Sequence, residues 1–191
     1  MKHIELKGQL RQAGAKAVAK ALRKQGLVPC NLYGAGIENV LFTVDAKDLK
    51  NVTNTPFTQI VDITLDNGQS YSTVLHECQW HPVTDEAVHM DFLAISDSKP
   101  VTVSVPVKLV GHSEGVKLGG KLAVSVRKLK VSALVNNLPD EIEVDVTSLQ
   151  IGKQISAGDL HFENFNIVSP KATIICAVRA TRASATAEAA E

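Results

Sequence analysis

The chain has 191 residues, 45% of them hydrophobic, with 20 lysines and arginines balanced by 20 aspartates and glutamates. That length and apolar content exclude a wholly disordered protein and leave room for two modest domains or one large one. No run of about eighteen apolar residues occurs, which excludes a spanning helix, and Lys2, Glu5 and Lys7 stand where a secretory signal needs its apolar core, so a cytoplasmic protein is expected.

Charge is unevenly spread. Within the first 27 residues Lys2, Lys7, Arg11, Lys16, Lys20, Arg23 and Lys24 face only Glu5, seven cations against one acid, so the rest of this neutral chain carries the opposite excess. A basic head on a neutral protein suits a polyanionic partner. Lys16, Lys20, Arg23 and Lys24 fall at helical spacing and form one stripe opposite Val18 and Leu22. Such a stripe fits nucleic-acid binding or a solvated face. A membrane-surface helix fits less well, because the apolar side offers mostly alanine. Residues 26–34 then read as an apolar, turn-rich stretch that places the ring of Tyr33 close behind the cations, a combination suited to RNA.

Most of the remaining periodicity is two. Val40 to Val44 predicts a short strand, and Asp45 is placed to cap a short helix after it. Val61, Ile63 and Leu65 alternate with polar residues, Asp66-Asn67-Gly68-Gln69 supplies a turn, and Tyr71, Thr73 and Leu75 resume the alternation, which predicts a β-hairpin with a type I′ turn at Asn67-Gly68. Polar and aromatic residues crowd into the stretch from Gln79 to Ile95, where Pro82 ends one strand and Val88 to Ile95 forms the next. Ser96 to Pro100 interrupts the pattern and marks a domain boundary.

Beyond it, Val101 to Leu109 predicts a long strand, and Pro106, which lacks an amide hydrogen, assigns that strand to an edge or a bulge. Leu122 to Val126, Ile142 to Val146 and Thr173 to Val178 are also β-patterned. The glycines between Gly111 and Lys121 read as a loop, without the strand-to-helix pattern of a phosphate cradle. Between Asn136 and Val168 six acids, Asp140, Glu141, Glu143, Asp145, Asp159 and Glu163, face Lys153 alone. That surface repels RNA and either meets a basic neighbour or serves as a solvated rim. Ala180 to Glu191 has no large apolar anchor and reads as a disordered, alanine-rich tail.

The three cysteines, Cys30, Cys78 and Cys176, are widely spaced and predict reduced thiols that act as small core hydrophobes. His76, Cys78, His81 and His89 are the residues to weigh for a metal. No close pair of thiols stands among them, and in a strand His81 lies on the face opposite His76 and Cys78, so no metal site and no cofactor are expected. Cys78, His81, His89 and Asp91 would also be the nucleophile and base of an enzyme. No nucleophile elbow, metal signature or phosphate loop accompanies them, so no enzymatic activity is expected.

Arg11, the run from Lys16 to Lys24, Gly26-Leu27-Val28-Pro29 and Tyr33-Gly34 are followed by Gln79-Trp80-His81-Pro82 and His89-Met90-Asp91-Phe92. In this order and at these separations the motifs resemble the bacterial large-subunit ribosomal proteins that bind 5S rRNA, in the long form called general stress protein Ctc. The resemblance covers residues 1–95 strongly and the remainder through length, β character and acidity. It implies a mainly β protein with short helices. A closed six-stranded β-barrel over residues 1–95 would dock on the internal loop E of 5S rRNA, followed by an acidic β-rich domain over 96–179 and the tail 180–191.

Carried over by position, the resemblance implies that Arg11, Lys16, Lys20, Arg23 and Lys24 meet phosphates, that Tyr33 packs at the RNA surface, and that Gln79, His81, His89 and Asp91 hydrogen-bond the groove. The implied partners are 5S rRNA and neighbouring large-subunit components, with no membrane and no small-molecule substrate. An irregular RNA helix displays a widened groove, so Gln, His and Asp can read base edges and 2′-hydroxyls while cations fix the register. Where the family's helix commonly carries two adjacent arginines, this chain has Lys20 and Ala21, which removes forked phosphate donors. The competing reading is a protein-interaction module that acts through the acidic C-terminal domain and uses the basic helix only for solubility.

Overall fold

Six strands and two helices form the first part of the chain: β1 (His3–Leu10), α1 (Lys16–Lys24), β2 (Leu27–Gly34), β3 (Ile37–Asp45), α2 (Ala46–Thr53), β4 (Ile60–Leu65), β5 (Ser70–Trp80) and β6 (Ala87–Ala94). The strands close a barrel in the order β1-β3-β2-β6-β5-β4, and the parallel pairing of β1 with β4, from His3↔Ile60 to Gly8↔Leu65, completes the ring. This is a computed structural model, and it describes residues 2–34, 36–96, 99–162 and 164–181. The expected tail lies outside the described residues from 182 onward, as do Asp97 and Ser98 of the interrupting stretch and Glu163 of the acidic one.

The barrel interior is filled by the inward half of each strand's alternation. Phe42 and Phe92 are fully buried with ring centroids 5.9 Å apart and planes tilted by 41°, and Leu32, Val61, Ile63 and Met90 pack in the same cluster. Gly8 makes room for this aromatic pair, because a Cβ there would lie 2.6 Å from Phe42 Cδ2. Truncating either ring to alanine would cost about 3–5 kcal/mol. Helix α2 is capped by Asp45, whose carboxylate accepts from the Lys47 amide at 3.1 Å, and it adds Leu49 and Val52 to the core.

The stretch from Gly111 to Lys121, read as a loop, contains the one-turn helix Glu114–Lys117, and three further local expectations change. Residues 27–34, read as turn-rich, are strand β2: Val28, Cys30 and Leu32 alternate into the core, and glycines at positive φ, Gly26 and Gly34, bound the strand. Pro29 is accommodated because the ladder with β6 starts one residue later, at Cys30↔Met90. The β4–β5 hairpin forms, but its turn is not type I′, since among the described non-glycine residues only Asp85 has a positive φ. The Gly68 amide instead donates to the Leu65 carbonyl at 2.9 Å and Gly68 alone takes φ 81°, so the extra twist is placed on the residue that carries no Cβ.

The third change concerns Pro106. The later elements are β7 (Val101–Val110), α3 (Glu114–Lys117), β8 (Lys121–Val124), β9 (Lys128–Ala133), β10 (Ile142–Asp145), β11 (Gln154–Ser156), β12 (Asn166–Ile167) and β13 (Ile174–Arg179), arranged as sheets β10-β7-β9-β12 and β11-β13-β8. Strand β7 is therefore interior, not an edge. The Val107 amide points to the β9 side, where it donates to the Arg127 carbonyl, so the alternation aims position 106 at β10, whose ladder begins only at Val107↔Ile142.

Contacts divide the chain into two compact units, Met1–Val103 with Leu134–Asp140, and Ser104–Ala133 with Glu141–Glu191. The second has its own core around Val105, Leu129, Val131, Ile142, Val144 and Ile175. Much of its acidity is tied into local structure. Lys108 Nζ lies 2.5 Å from Glu141 and 3.3 Å from Glu143, which raises the pKa of its ammonium group. Thr147 donates to Asp145 and Ser156 donates to Asp159 in a capping box, and each holds its carboxyl below the usual range. No described helix is long and apolar enough to cross a membrane.

Candidate nucleic-acid interface

Strands β5, β6 and β2 are neighbours in the barrel, and their outward alternation gathers polar side chains on one face. On β6, Met90 and Phe92 are fully buried, so His89 and Asp91 project outward with side chains 24% and 20% exposed. The β5–β6 register sets Gln79 opposite His89 and Glu77 opposite Asp91, and the β2–β6 register sets Asn31 beside Asp91. His89 Nδ1 is 3.5 Å from Asp91 Oδ1. Three sequence-predicted residues, Gln79, His89 and Asp91, thus share one surface.

Tyr33 lies one step further along β2, and its ring meets His76 of β5 edge-on with centroids 6.3 Å apart. Burial, and then the charges of Asp91 and Glu77, push the Tyr33 phenol pKa upward, so it stays a hydrogen-bond donor at neutral pH. Glu77 directly opposite Asp91 is a like-charge pair, an arrangement that destabilises a sheet. Acceptors concentrated in this way suit base amino groups and would be repelled by phosphate alone.

The cations sit at the margin of this face. Lys16, Lys20, Arg23 and Lys24 are exposed on α1, which has no buried residue, no side-chain N-cap and no acid in its first turn. The expected apolar side is only partly covered: Val18 is 47% exposed and Leu22 is half-buried. Little therefore stabilises α1 from within, although Arg23 and Lys24 suit the dipole at its C-terminal end. Arg23 Nε donates to the Val88 carbonyl at 3.0 Å, which ties the helix to β6 one residue before His89. Arg11 follows β1, where its amide donates to the Leu41 carbonyl.

His81 stands apart from the Gln79–His89–Asp91 cluster. Its Nδ1 accepts from the amides of Val83 and Thr84 at 3.3 and 3.2 Å, organising the β5–β6 loop and leaving Nε2–H as the remaining ring donor. It lines a groove of about 500 Å³ with Arg23, Trp80, Lys47 and Lys50. Trp80 is 49% exposed there.

Sequence reasoning does not assign Asn31, His76 or Glu77 to this face; it weighs His76 only for a metal. Asn31 carries a legible signal, a lone polar residue inside the apolar run from Leu27 to Tyr33. Its Oδ1 and Arg11 Nε are buried and lack hydrogen-bond partners among the described residues. Leaving one such group unpaired costs about 1–3 kcal/mol. Both belong to the same part of the barrel wall, since Leu41 accepts from the Arg11 amide and is the register partner of Asn31.

Residues 6–92 match the model of the Ribosomal L25p family, and residues 100–182 match that of the C-terminal domain of ribosomal protein TL5. The large ribosomal subunit protein bL25 of Porphyromonas gingivalis is 45% identical over 96% of this chain and 96% of its own length. The bL25 of Bacteroides thetaiotaomicron is 44% identical over 100% of this chain and 98% of its own, and that of Azobacteroides pseudotrichonymphae is 41% identical over 95% and 96%.

Proposed function

The chain belongs to the ribosomal L25p family of large-subunit structural proteins, which are not enzymes, and from this premise we propose that its barrel binds 5S rRNA at loop E. Residues 1–95 are the RNA-binding domain in this reading, and residues 96–179 are an additional domain that meets other large-subunit components. The protein works on the cytoplasmic ribosome.

One observation carries the reading: the exposed cations of α1 are tied through Arg23 to the strand that presents His89 and Asp91. Lys16, Lys20 and Lys24 meet phosphates on either side of the widened groove, with Arg11 and the free end of Arg23 beside them. Gln79, His89 and Asp91 read base edges and 2′-hydroxyls, Tyr33 packs against the RNA, and His81 donates from Nε2 at the margin. Chemical footprinting of 5S rRNA with the full chain tests this. Protection confined to loop E and its flanking pairs is the expected result, and protection elsewhere, or none, contradicts it.

A further inference from the structure

We propose that Asn31 is a specificity-determining residue of the RNA-reading surface, with its Nδ2 donor committed to a base edge; the inference rests on the loop E reading above. Asn31 is outward on β2, between the fully buried Cys30 and Leu32, and the sheet register places it beside Asp91 on one side and Leu41 on the other. The cross-strand row Asn31–Asp91–Glu77 runs through the middle of the proposed surface, with Tyr33 one step to one side and the Gln79–His89 pair one step to the other.

Local packing does not account for an asparagine here. Asn31 Oδ1 is buried with no donor among the described residues, and Arg11 Nε is buried with no acceptor among them. An apolar β-former would suit a strand flanked by Leu41 better and leave no acceptor unpaired. Among the described residues the other two buried polar atoms in this condition, Thr58 Oγ1 and Gln59 Oε1, are adjacent in sequence on the approach to β4, which presents no proposed RNA-contacting residue. With Oδ1 turned into the barrel wall, the group Asn31 offers outward is its Nδ2 donor, which the carboxylates of Asp91 and Glu77 cannot supply and which suits an acceptor on a base edge.

The test uses the full chain and the variants Asn31→Leu and Asn31→Val. Each is titrated with a 5S rRNA fragment containing loop E and with a fully paired duplex of equal length, and each thermal midpoint is measured. The wild type is expected to prefer the loop. The variants should keep or raise the midpoint while losing at least about fivefold of that preference, the loss of one base-edge contact. A folded variant with unchanged preference overturns the inference and leaves the loop E reading standing. Unfolding of both variants also overturns it, assigning Asn31 to the barrel framework. A wild type without preference for the loop defeats the underlying reading itself.

Discussion

His89 Nδ1 lies 3.5 Å from Asp91 Oδ1 on the outward face of β6, two residues apart on a strand whose alternate positions are sealed into the barrel. The separation is long for a hydrogen bond, so the Asp91 oxygens stay available as acceptors beside His89. Replacing His89 with alanine should lower preference for loop E over plain duplex by roughly five- to a hundredfold. Parallel titrations of both RNAs check this; equal losses on the two would make His89 a framework residue.

Arg23 ties α1 to β6 and, in the proposed reading, also meets a phosphate, so its loss should show both effects. Removing one phosphate contact reduces the slope of log affinity against log salt by about 0.7–0.9. Arg23→Ala also removes the Nε donor to Val88, so amide exchange across α1 should accelerate. Lys20→Ala, at an exposed position on the same helix, should reduce the slope without altering exchange. If Arg23→Ala leaves the slope unchanged in a folded protein, its guanidinium does not reach the RNA.

Buried Cys30 should be protected from alkylation. Burial pushes Cys30 up to about 12 and Cys78 up to about 11, and the thiolate is the reactive form. Iodoacetamide should therefore spare Cys30 in the folded chain near neutral pH and modify it once denaturant opens the barrel. Mass spectrometry of the labelled peptides reads the outcome directly.

Asp62 links β4 to its neighbours. The Ser72 hydroxyl donates to Oδ1 at 2.6 Å and His3 Nδ1 lies 2.8 Å from Oδ2, which together hold the carboxyl below its usual range. Its contribution is present above the ordinary carboxylate pKa and is lost as pH falls through the lowered folded value. The site is partly solvated, so Asp62→Asn should cost at most about 1 kcal/mol. Urea midpoints of wild type and variant should differ above the ordinary carboxylate range and converge as the pH falls through the lowered folded value.

Much of this architecture is legible in the chain because alternation survives wherever one strand face is buried. Val61 to Leu65 and Tyr71 to Leu75 give their hairpin from period alone, and Asp45 announces the helix it caps. Strand β2 is hidden because Gly26, Pro29 and Gly34 are turn residues by composition, whereas here the glycines bound a strand and the proline precedes a ladder. The turn type is hidden because Asn67-Gly68 suits two hairpin geometries, and the one-residue difference in loop length decides between them. Pairings between distant segments, such as Asn31 beside Asp91, have no sequence signature at all. The basic helix and the Gln79, His89 and Asp91 motifs are visible; Asn31, which completes the row through Asp91, is not.

The most direct measurement is a salt titration of the full chain binding a loop E fragment of 5S rRNA, beside a paired duplex of equal length. Tight, loop-selective binding that weakens steeply with salt is the expected result. Weak binding that is indifferent to the loop would contradict the RNA-reading role of the β5–β6–β2 face and leave only a basic helix on a ribosomal barrel.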